Sequence, residues 1–286
     1  MSYLEHIRAC NLWNPDNFKP FVVNGQQLGW IKAPFASMLS DYPEVFTVSA
    51  NHTELNTILQ TVEQRSAAVA EVLEQLVIRG AIPPLYGELY PVVTQYGQSA
   101  VFLLDRMAAQ FLGIRAFGQH LNGYVKSAQG ILLWVGHRAA DRNVFPDRFD
   151  NMVAGGLPYG IKLSDNLAKE CMEEAGISKG LAANAKPVGE ISYCCETELG
   201  LKPDTLFCYD LSFPSTFMPH CTDGEVAGFY LWPVEEVARV VRETERFKPN
   251  CNLVIIDFLL RHNLHGLSDE SYLTIKNALK GDTLAC

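Results

Sequence analysis

The chain of 286 residues is about twice the usual ~150-residue domain, so two domains are expected, and its 48% hydrophobic and 19% charged residues exclude a disordered, collagen-like or coiled-coil protein. With 23 Lys and Arg against 32 Asp and Glu, the net charge of −9 makes extended nucleic acid a poor partner, because that binding relies on clustered cations releasing counterions. Apolar runs such as 130–136 and 253–260 fall far short of the roughly 18 residues that a membrane span needs, so a soluble protein without a membrane partner is expected. The start, residues 1–10, lacks a basic stretch followed by an apolar core, and is read as part of the fold of a cytoplasmic protein. The eight cysteines contain no Cys-x-x-Cys pair and read as buried thiols of a reducing compartment rather than a zinc site.

In chain order, apolar residues at helical spacing predict a helix over residues 53–80, with Gly80 as its stop. Residues 88–94 read as an edge or irregular strand because Pro91 lies within them, and a helix rich in Ala, Leu and Met is expected near 99–112. These pieces make a small α+β unit over residues 1–115. From His120 the texture changes: 120–126 and 131–137 form a predicted hairpin around the turn 127–130. A helix over 164–175 follows, then strands near 186–196, 205–211 and 225–232. Helices over 234–244, 250–262 and 269–279 close the chain. Residues 116–286 therefore read as an α/β sandwich rather than a doubly wound sheet, since helix and strand do not alternate regularly.

The stretch from Ala154 to Ile177 carries the chemistry. Gly155, Gly156, Pro158 and Gly160 form an expected loop that can bring backbone amides to a phosphate. Ser164 is the expected N-cap of the next helix, and Gly176 its end. Glu173 and Glu174 lie three and four positions after Glu170, so all three carboxylates share one helix face. Leu163, Leu167 and Cys171 recur four apart as a buried face, which leaves the acids outward toward a cleft. Lys169 is the one cation inside that helix, so the crowding of carboxylates is most simply relieved by a hard divalent ion such as Mg²⁺, with Mn²⁺ as the alternative. Such an ion would lower the pKa of a bound water and neutralise a diphosphate. Acidic triplets also occur on solvated helix faces; the upstream glycines and cap weigh against that reading.

Residues 155–177 resemble the Nudix box, G-x5-E-x7-R-E-U-x-E-E-x-G-U, where U is a bulky aliphatic residue. Gly155, Glu170, Glu173, Glu174, Gly176 and Ile177 match it, while Ile161 replaces the first glutamate, Lys169 the arginine and Cys171 an aliphatic residue. Further stretches resemble one branch of that superfamily, associated with thiamine pyrophosphokinase and carrying an extra N-terminal domain: Glu88-Leu-Tyr-Pro-Val92, His120-Leu-Asn-Gly-Tyr-Val125, Leu133-Trp-Val135, Asp150-Asn-Met-Val-Ala-Gly-Gly156, Gly189-Glu-Ile-Ser-Tyr193, Asp223-Gly-Glu-Val226 and Phe247-Lys-Pro-Asn-Cys251. The resemblance implies a Nudix α/β/α sandwich preceded by a smaller α+β domain. It also implies a Mg²⁺-dependent hydrolase that converts thiamine diphosphate, or its oxo and oxy analogues, to the monophosphate and phosphate. A pyrophosphatase for ADP-ribose, NADH or a nucleotide sugar is the alternative, because the box reads the diphosphate and not the attached group. A third reading is a diphosphate-binding module without catalysis.

On this reading Glu170, Glu173 and Glu174 hold the metal and Lys169 orients them, while Gly155 and Gly156 shape the phosphate loop. Glu225 reads either as a further metal ligand from outside the box or as a plain turn acid; Glu196 and Glu198 are weaker candidates. Arg138 is the best placed of Arg138, Arg142 and Arg148 to clamp a diphosphate. Tyr159, inside the glycine stretch, has a better claim than Trp134 or Tyr193 to stack on a substrate ring. His262 and His265 suggest no more than helix capping.

Overall fold

The computed structural model describes residues 2–142 and 144–280. After helix α1 (Tyr3–Ala9), strands β1 (Phe18–Val23) and β2 (Gln26–Lys32) form a hairpin whose turn places Asn24 and Gly25 at positive φ. Helix α2 (Ala33–Leu39), strands β3 (Phe46–Val48) and β4 (Thr53–Leu55), helix α3 (Val62–Ile78), strands β5 (Leu89–Val92) and β6 (Phe102–Asp105) and the short helix α4 (Ala109–Leu112) follow. The four-stranded sheet has the order β2-β1-β4-β3, and β5 pairs with β6 alone. Phe21, Ile31, Leu55, Leu73, Phe102 and Leu112 are part of one core beneath these elements.

The expected helix over 53–80 is shorter. Residues 53–55 pair with β1, and Thr61 with Gln64 forms a capping box that starts α3 at Val62. The helix expected near 99–112 is also corrected: residues 102–105 form β6 against β5, and only α4 and one 3₁₀ turn are helical. Asp105 causes the break, because its carboxylate accepts the amide of Met107 at 2.9 Å and those of Tyr86 and Gly87 at 3.1 and 2.7 Å.

The second sheet is built from β7 (Ala116–Ser127), β8 (Gly130–Arg138), β9 (Phe149–Asp150), β10 (Val153–Gly156), β11 (Lys186–Glu196), β12 (Leu201–Phe213) and β13 (Val226–Pro233). Its main order is β11-β12-β7-β8-β13, with β10 paired to β7 and β9 to β8; β12 runs parallel to β7 and the other pairs are antiparallel. The predicted hairpin is present as β7 and β8. Helices α5 (Leu163–Ala175) and α6 (Lys179–Ala182) cover one face, where Leu167, Cys171 and Ala182 pack with Leu121, Trp134 and Leu211. Helices α7 (Val234–Glu243), α8 (Pro249–Arg261) and α9 (Asp269–Leu279) cover the other, where Val237, Val254 and Phe258 pack with Leu133, Ile191 and Leu206. The result is the expected α/β/α sandwich. Helix α1 joins this second core through Tyr3, Ile7 and Cys10, so residues 1–115 do not pack as one block. Six cysteines, Cys10, Cys171, Cys195, Cys208, Cys221 and Cys251, are free thiols; Cys194 is disulfide-bonded, which corrects the expectation of thiols throughout, and Cys286 lies outside the described residues.

Candidate active site

Two of the three acids of α5, Glu170 and Glu174, meet strand β10. Two corrections to the sequence reading define how. First, Gly155 and Gly156 are not in a loop: they are extended residues of β10, paired with Gln119 and Gly118 of β7. Their missing Cβ atoms admit side chains instead of bending the backbone. A Cβ on Gly155 would collide with the Glu170 carboxyl group, and one on Gly156 with the Tyr90 hydroxyl. Second, Lys162 rather than Ser164 is the N-cap of α5, with no side-chain bond; Gly176 ends the helix in the left-handed region at φ 64° as expected. The start of α5 is anchored by fully buried Asn166, whose Nδ2 donates to the Gly156 carbonyl at 2.8 Å and to Gln119 Oε1 at 2.9 Å, while Gln119 Nε2 donates to the Leu163 carbonyl.

The acids are not equivalent, and not all face outward. Glu174 is 7% exposed, and its Oε2 accepts the Ala154 amide at 2.8 Å. Burial pushes its carboxyl up to about 8, with the charges of Asp150, Glu170 and Glu225 adding to the rise and the Ala154 amide opposing it. Burial also raises Glu170, against the neighbouring Lys169. Glu173 is half-exposed. Lys169 Nζ bridges Glu170 at 3.1 Å and Glu173 at 2.9 Å, so it does hold two of the three acids. Among the described residues no cation forms an ion pair or hydrogen bond with Glu174.

Glu225 is carried to the same place by a loop pinned on the C-terminal end of α5. The Thr222 amide and hydroxyl both donate to the Glu173 carbonyl, and the His220 amide to that of Ala175. Its carboxylate pairs with Arg142 at 2.9 Å, and its charge acts on both Glu170 and Glu174. A cavity of about 300 Å³ lies along this loop, lined in part by Trp134, His220, Cys221 and Phe229.

Arg138 is used differently from the clamp expected of it. Its Nη1 donates to Asp150 at 2.9 Å, and Nε and Nη2 donate to the carbonyls of Phe145 and Val144, so the guanidinium frames a loop. Arg148 likewise donates to the Glu245 carbonyl. Tyr159 is exposed and is tied to β5 by its amide, which donates to the Leu89 carbonyl at 2.8 Å. Trp134 and Tyr193 are core residues, and the Tyr193 hydroxyl donates to Asp204. Glu196 accepts Lys32 at 3.0 Å and Asn17 at 3.1 Å, a tie to the N-terminal sheet. Ile161 packs with Val93, Phe117, Leu157 and Leu163, against residues of the first unit, which accounts for an apolar residue there.

Sequence reasoning missed a buried polar network beneath β10. His120, Asp150 and Cys251 converge there as the one three-residue donor set of metal-binding spacing among the described residues. The Cys251 thiol donates to Asp150 at 2.7 Å, and His120 Nδ1 meets Asn151 Oδ1 at 2.8 Å. Burial alone would raise Asp150, but Lys248 at 3.6 Å and Arg138, with the Cys251 thiol hydrogen bond, hold it below the usual carboxylate range. Burial and Lys248 lower His120 to about 4, so it is neutral. With two cations already on its one carboxylate, this set carries more positive than negative charge and calls for no metal. The network continues from Asn151 to Asn122, Asp210 and Arg261, which locks α8 to β7 and β12. His120, Asn122, Asp150, Asn151, Lys248 and Cys251 lie in the segments 120–125, 150–156 and 247–251 that stood out in the sequence without an assigned task.

Residues 2–116 match a domain of unknown function, DUF4743. The chain is 42% identical to Nudix hydrolase 20, chloroplastic, of Arabidopsis thaliana over 97% of its own length and 77% of the relative's. It is 43% identical to Nudix hydrolase 24, chloroplastic, of the same plant over the same shares. This chain belongs to the Nudix hydrolases. Among solved structures, the Nudix domain of Shewanella oneidensis NrtR, complexed with ADP ribose, is 11% identical, covers 52% of this Nudix hydrolase and 88% of that chain, and has a TM-score of 0.41. Nudix hydrolases generally use divalent metals, and the oxygen donors of Glu170, Glu173, Glu174 and Glu225 suit a hard cation. No helix among the described residues is long and apolar enough to cross a membrane.

Proposed function

We propose that this Nudix hydrolase cleaves a small-molecule diphosphate, thiamine diphosphate or its oxo and oxy analogues, to the monophosphate and phosphate. In this reading Mg²⁺, or Mn²⁺ in its place, is held by Glu170, Glu173 and Glu174 with Glu225 completing the set. The observation that carries it is Glu174: a buried carboxyl group near the half-buried Glu170, without an ion-pair partner among the described residues. Burying an unpaired carboxylate costs several kcal/mol, so such a position is suited to a residue whose partner arrives with the ligand.

The bound ion supplies charge neutralisation on the diphosphate and a more acidic water. The chain's own residues prepare the place. The Ala154 amide fixes the Glu174 carboxyl, Gly155 lets Glu170 lie directly on the strand, and Lys169 restrains Glu170 and Glu173. Asn166 and Gln119 tie the first turn of α5 to β10 and β7, so the acids and the strand move as one unit. The thiamine assignment rests on resemblance in the stretches outside the box, with exposed Tyr159 as the ring that could face a thiazolium. Residues 1–115 are proposed as an accessory domain. The free thiols favour a reducing compartment such as the cytoplasm; the plant relatives are named chloroplastic.

Phosphorus NMR of the protein with Mg²⁺ and thiamine diphosphate, oxothiamine diphosphate, ADP-ribose and NADH tests the reading, with Glu173→Gln as control. Phosphate release from the thiamine compounds, lost in the control, supports it. Cleavage of the nucleotides alone removes the thiamine assignment, and no cleavage of any compound removes the hydrolase activity proposed for these substrates.

A further inference from the structure

The cations that the sequence offers for gripping a diphosphate are engaged elsewhere: Arg138 with Asp150 and two carbonyls, Arg142 with Glu225, Arg148 with the Glu245 carbonyl, Lys169 with two glutamates. A polyanionic substrate arriving at this carboxylate cluster needs positive charge from another source besides the metal. The first unit supplies a candidate. Asp105, by capping the turn after β6, fixes the backbone at Arg106, whose amide donates to the Glu88 carbonyl at 2.8 Å. The Arg106 guanidinium then pairs with the Glu88 carboxylate at 2.8 Å and lies 5.9 Å from the centre of the Tyr90 ring.

That pair of side chains meets β10 where a Cβ is missing. The Tyr90 hydroxyl fills the place of a side chain at Gly156, and the Arg106 guanidinium carbon lies 3.5 Å from that same point. Gly156 adjoins Gly155, where the Glu170 carboxyl lies, and the charges of Glu170 and Glu225 reach Tyr90 and Arg106 respectively. Glu88 covers one edge of the guanidinium, and the Arg106 side chain remains 47% exposed. An arginine fork with an open edge is well suited to phosphate oxygens.

We propose that Arg106, braced by Glu88 and Tyr90, binds a phosphate group of the substrate at the Glu170, Glu173 and Glu174 cluster, making the first unit part of the active site. The proposal rests on the diphosphate reading above. It gives Arg106 the part that sequence reasoning gave to Arg138, and it assigns Gly156 the task of admitting that arm.

The test uses the whole chain with Arg106→Ala, Arg106→Gln and Arg106→Lys. Two readouts are needed: steady-state kinetics on the diphosphate substrate, and calorimetric binding of inorganic pyrophosphate with Mg²⁺. Arg106→Ala and Arg106→Gln should raise KM by about tenfold or more with kcat changed by less than about threefold and melting unchanged, and Arg106→Lys should recover part of the loss. Pyrophosphate affinity should fall by the same factor. If KM and pyrophosphate affinity stay within about twofold of wild type in Arg106→Gln, the assignment is overturned, and a simple surface ion pair to Glu88 is what remains. Should Arg106→Ala fail to fold, the glutamine and lysine variants decide the matter alone. Wild-type protein that binds pyrophosphate through Arg106 yet cleaves no diphosphate would remove the hydrolysis reading and keep this one; wild-type protein that does neither removes both.

Discussion

Two buried acids lie on either side of the same stretch of backbone, and they have opposite surroundings. Asp150 carries the ion pairs of Arg138 and Lys248 and a thiol hydrogen bond from Cys251, and is held ionised. Glu174 receives one backbone amide and is pushed up to about 8. Burial is common to both, so burial does not mark the functional residue. The missing countercharge does. An acid that folding has already neutralised is a structural part, whereas an acid left short of positive charge is prepared for a cation that comes later.

The largest effect expected from breaking this contrast is on activity. Glu173→Gln and Glu174→Gln should each lower phosphate release by about 100-fold or more while circular dichroism remains that of the wild type. Equal turnover in both variants would remove the metal-site assignment. Asp150→Asn should act on the fold instead, lowering stability by about 3 to 5 kcal/mol in urea titration, because Lys248 and Arg138 are then left buried without their carboxylate. A loss of activity at unchanged stability in that variant would place Asp150 with the catalytic acids.

The pH dependence of metal-free protein sharpens the comparison further. Glu174 has a folded pKa raised from the usual 4.5 to about 8, so its protonated form favours folding. The associated stability is fully present below about pH 4.5 and is lost as pH rises toward 8. Glu174→Gln removes that loss, so its melting temperature should gain on the wild type by several degrees between pH 5 and 8.5, and Mg²⁺ should raise the wild type more than the variant. His120 works in the other direction: its folded pKa is lowered to about 4, and its contribution is lost as pH falls from about 6.5 toward 4. An identical pH profile for wild type and Glu174→Gln would show that Glu174 is not the group titrating.

The smallest expected effect concerns the departures from the box. Ile161→Glu should not raise turnover and should cost about 1 to 3 kcal/mol, because it puts a carboxylate among Val93, Phe117 and Leu157. Increased activity in Ile161→Glu would show that the isoleucine is a defect rather than a fit to the first unit.

Much of the second sheet was legible because its strands and helices carry their own punctuation. Gly176 ends α5, Pro233 precedes α7, and the turn at 127–130 closes the hairpin. The first unit was less legible. The apolar spacing of residues 53–61 continues that of α3, and only the Thr61 and Gln64 cap separates strand from helix. Residues 102–105 look helical until pairing with β5 is known, since nothing local to Phe102 through Leu104 records that partner. In the site, the spacing of Glu170, Glu173 and Glu174 was visible, but their unequal burial was not. Helical periodicity puts residues on a face and cannot say which strand crosses it. Arg106 was invisible for a similar reason: it is 50 residues from Gly156 in the chain, and no pattern in either segment refers to the other.

Helix α1 has a consequence for how this chain can be cut and made. His6 Nε2 lies 2.6 Å from the Val241 carbonyl, and Tyr3 and Ile7 fill the core beside α8 and α9, more than 230 residues away. Residues 3–10 are therefore tied into the second core, and the first sheet lies in the chain between that piece and β7 like an insertion. During synthesis α1 leaves the ribosome well before its partners α8 and α9, a long-range closure that slows completion of the sandwich. A fragment beginning at residue 116 would lack part of its own interior.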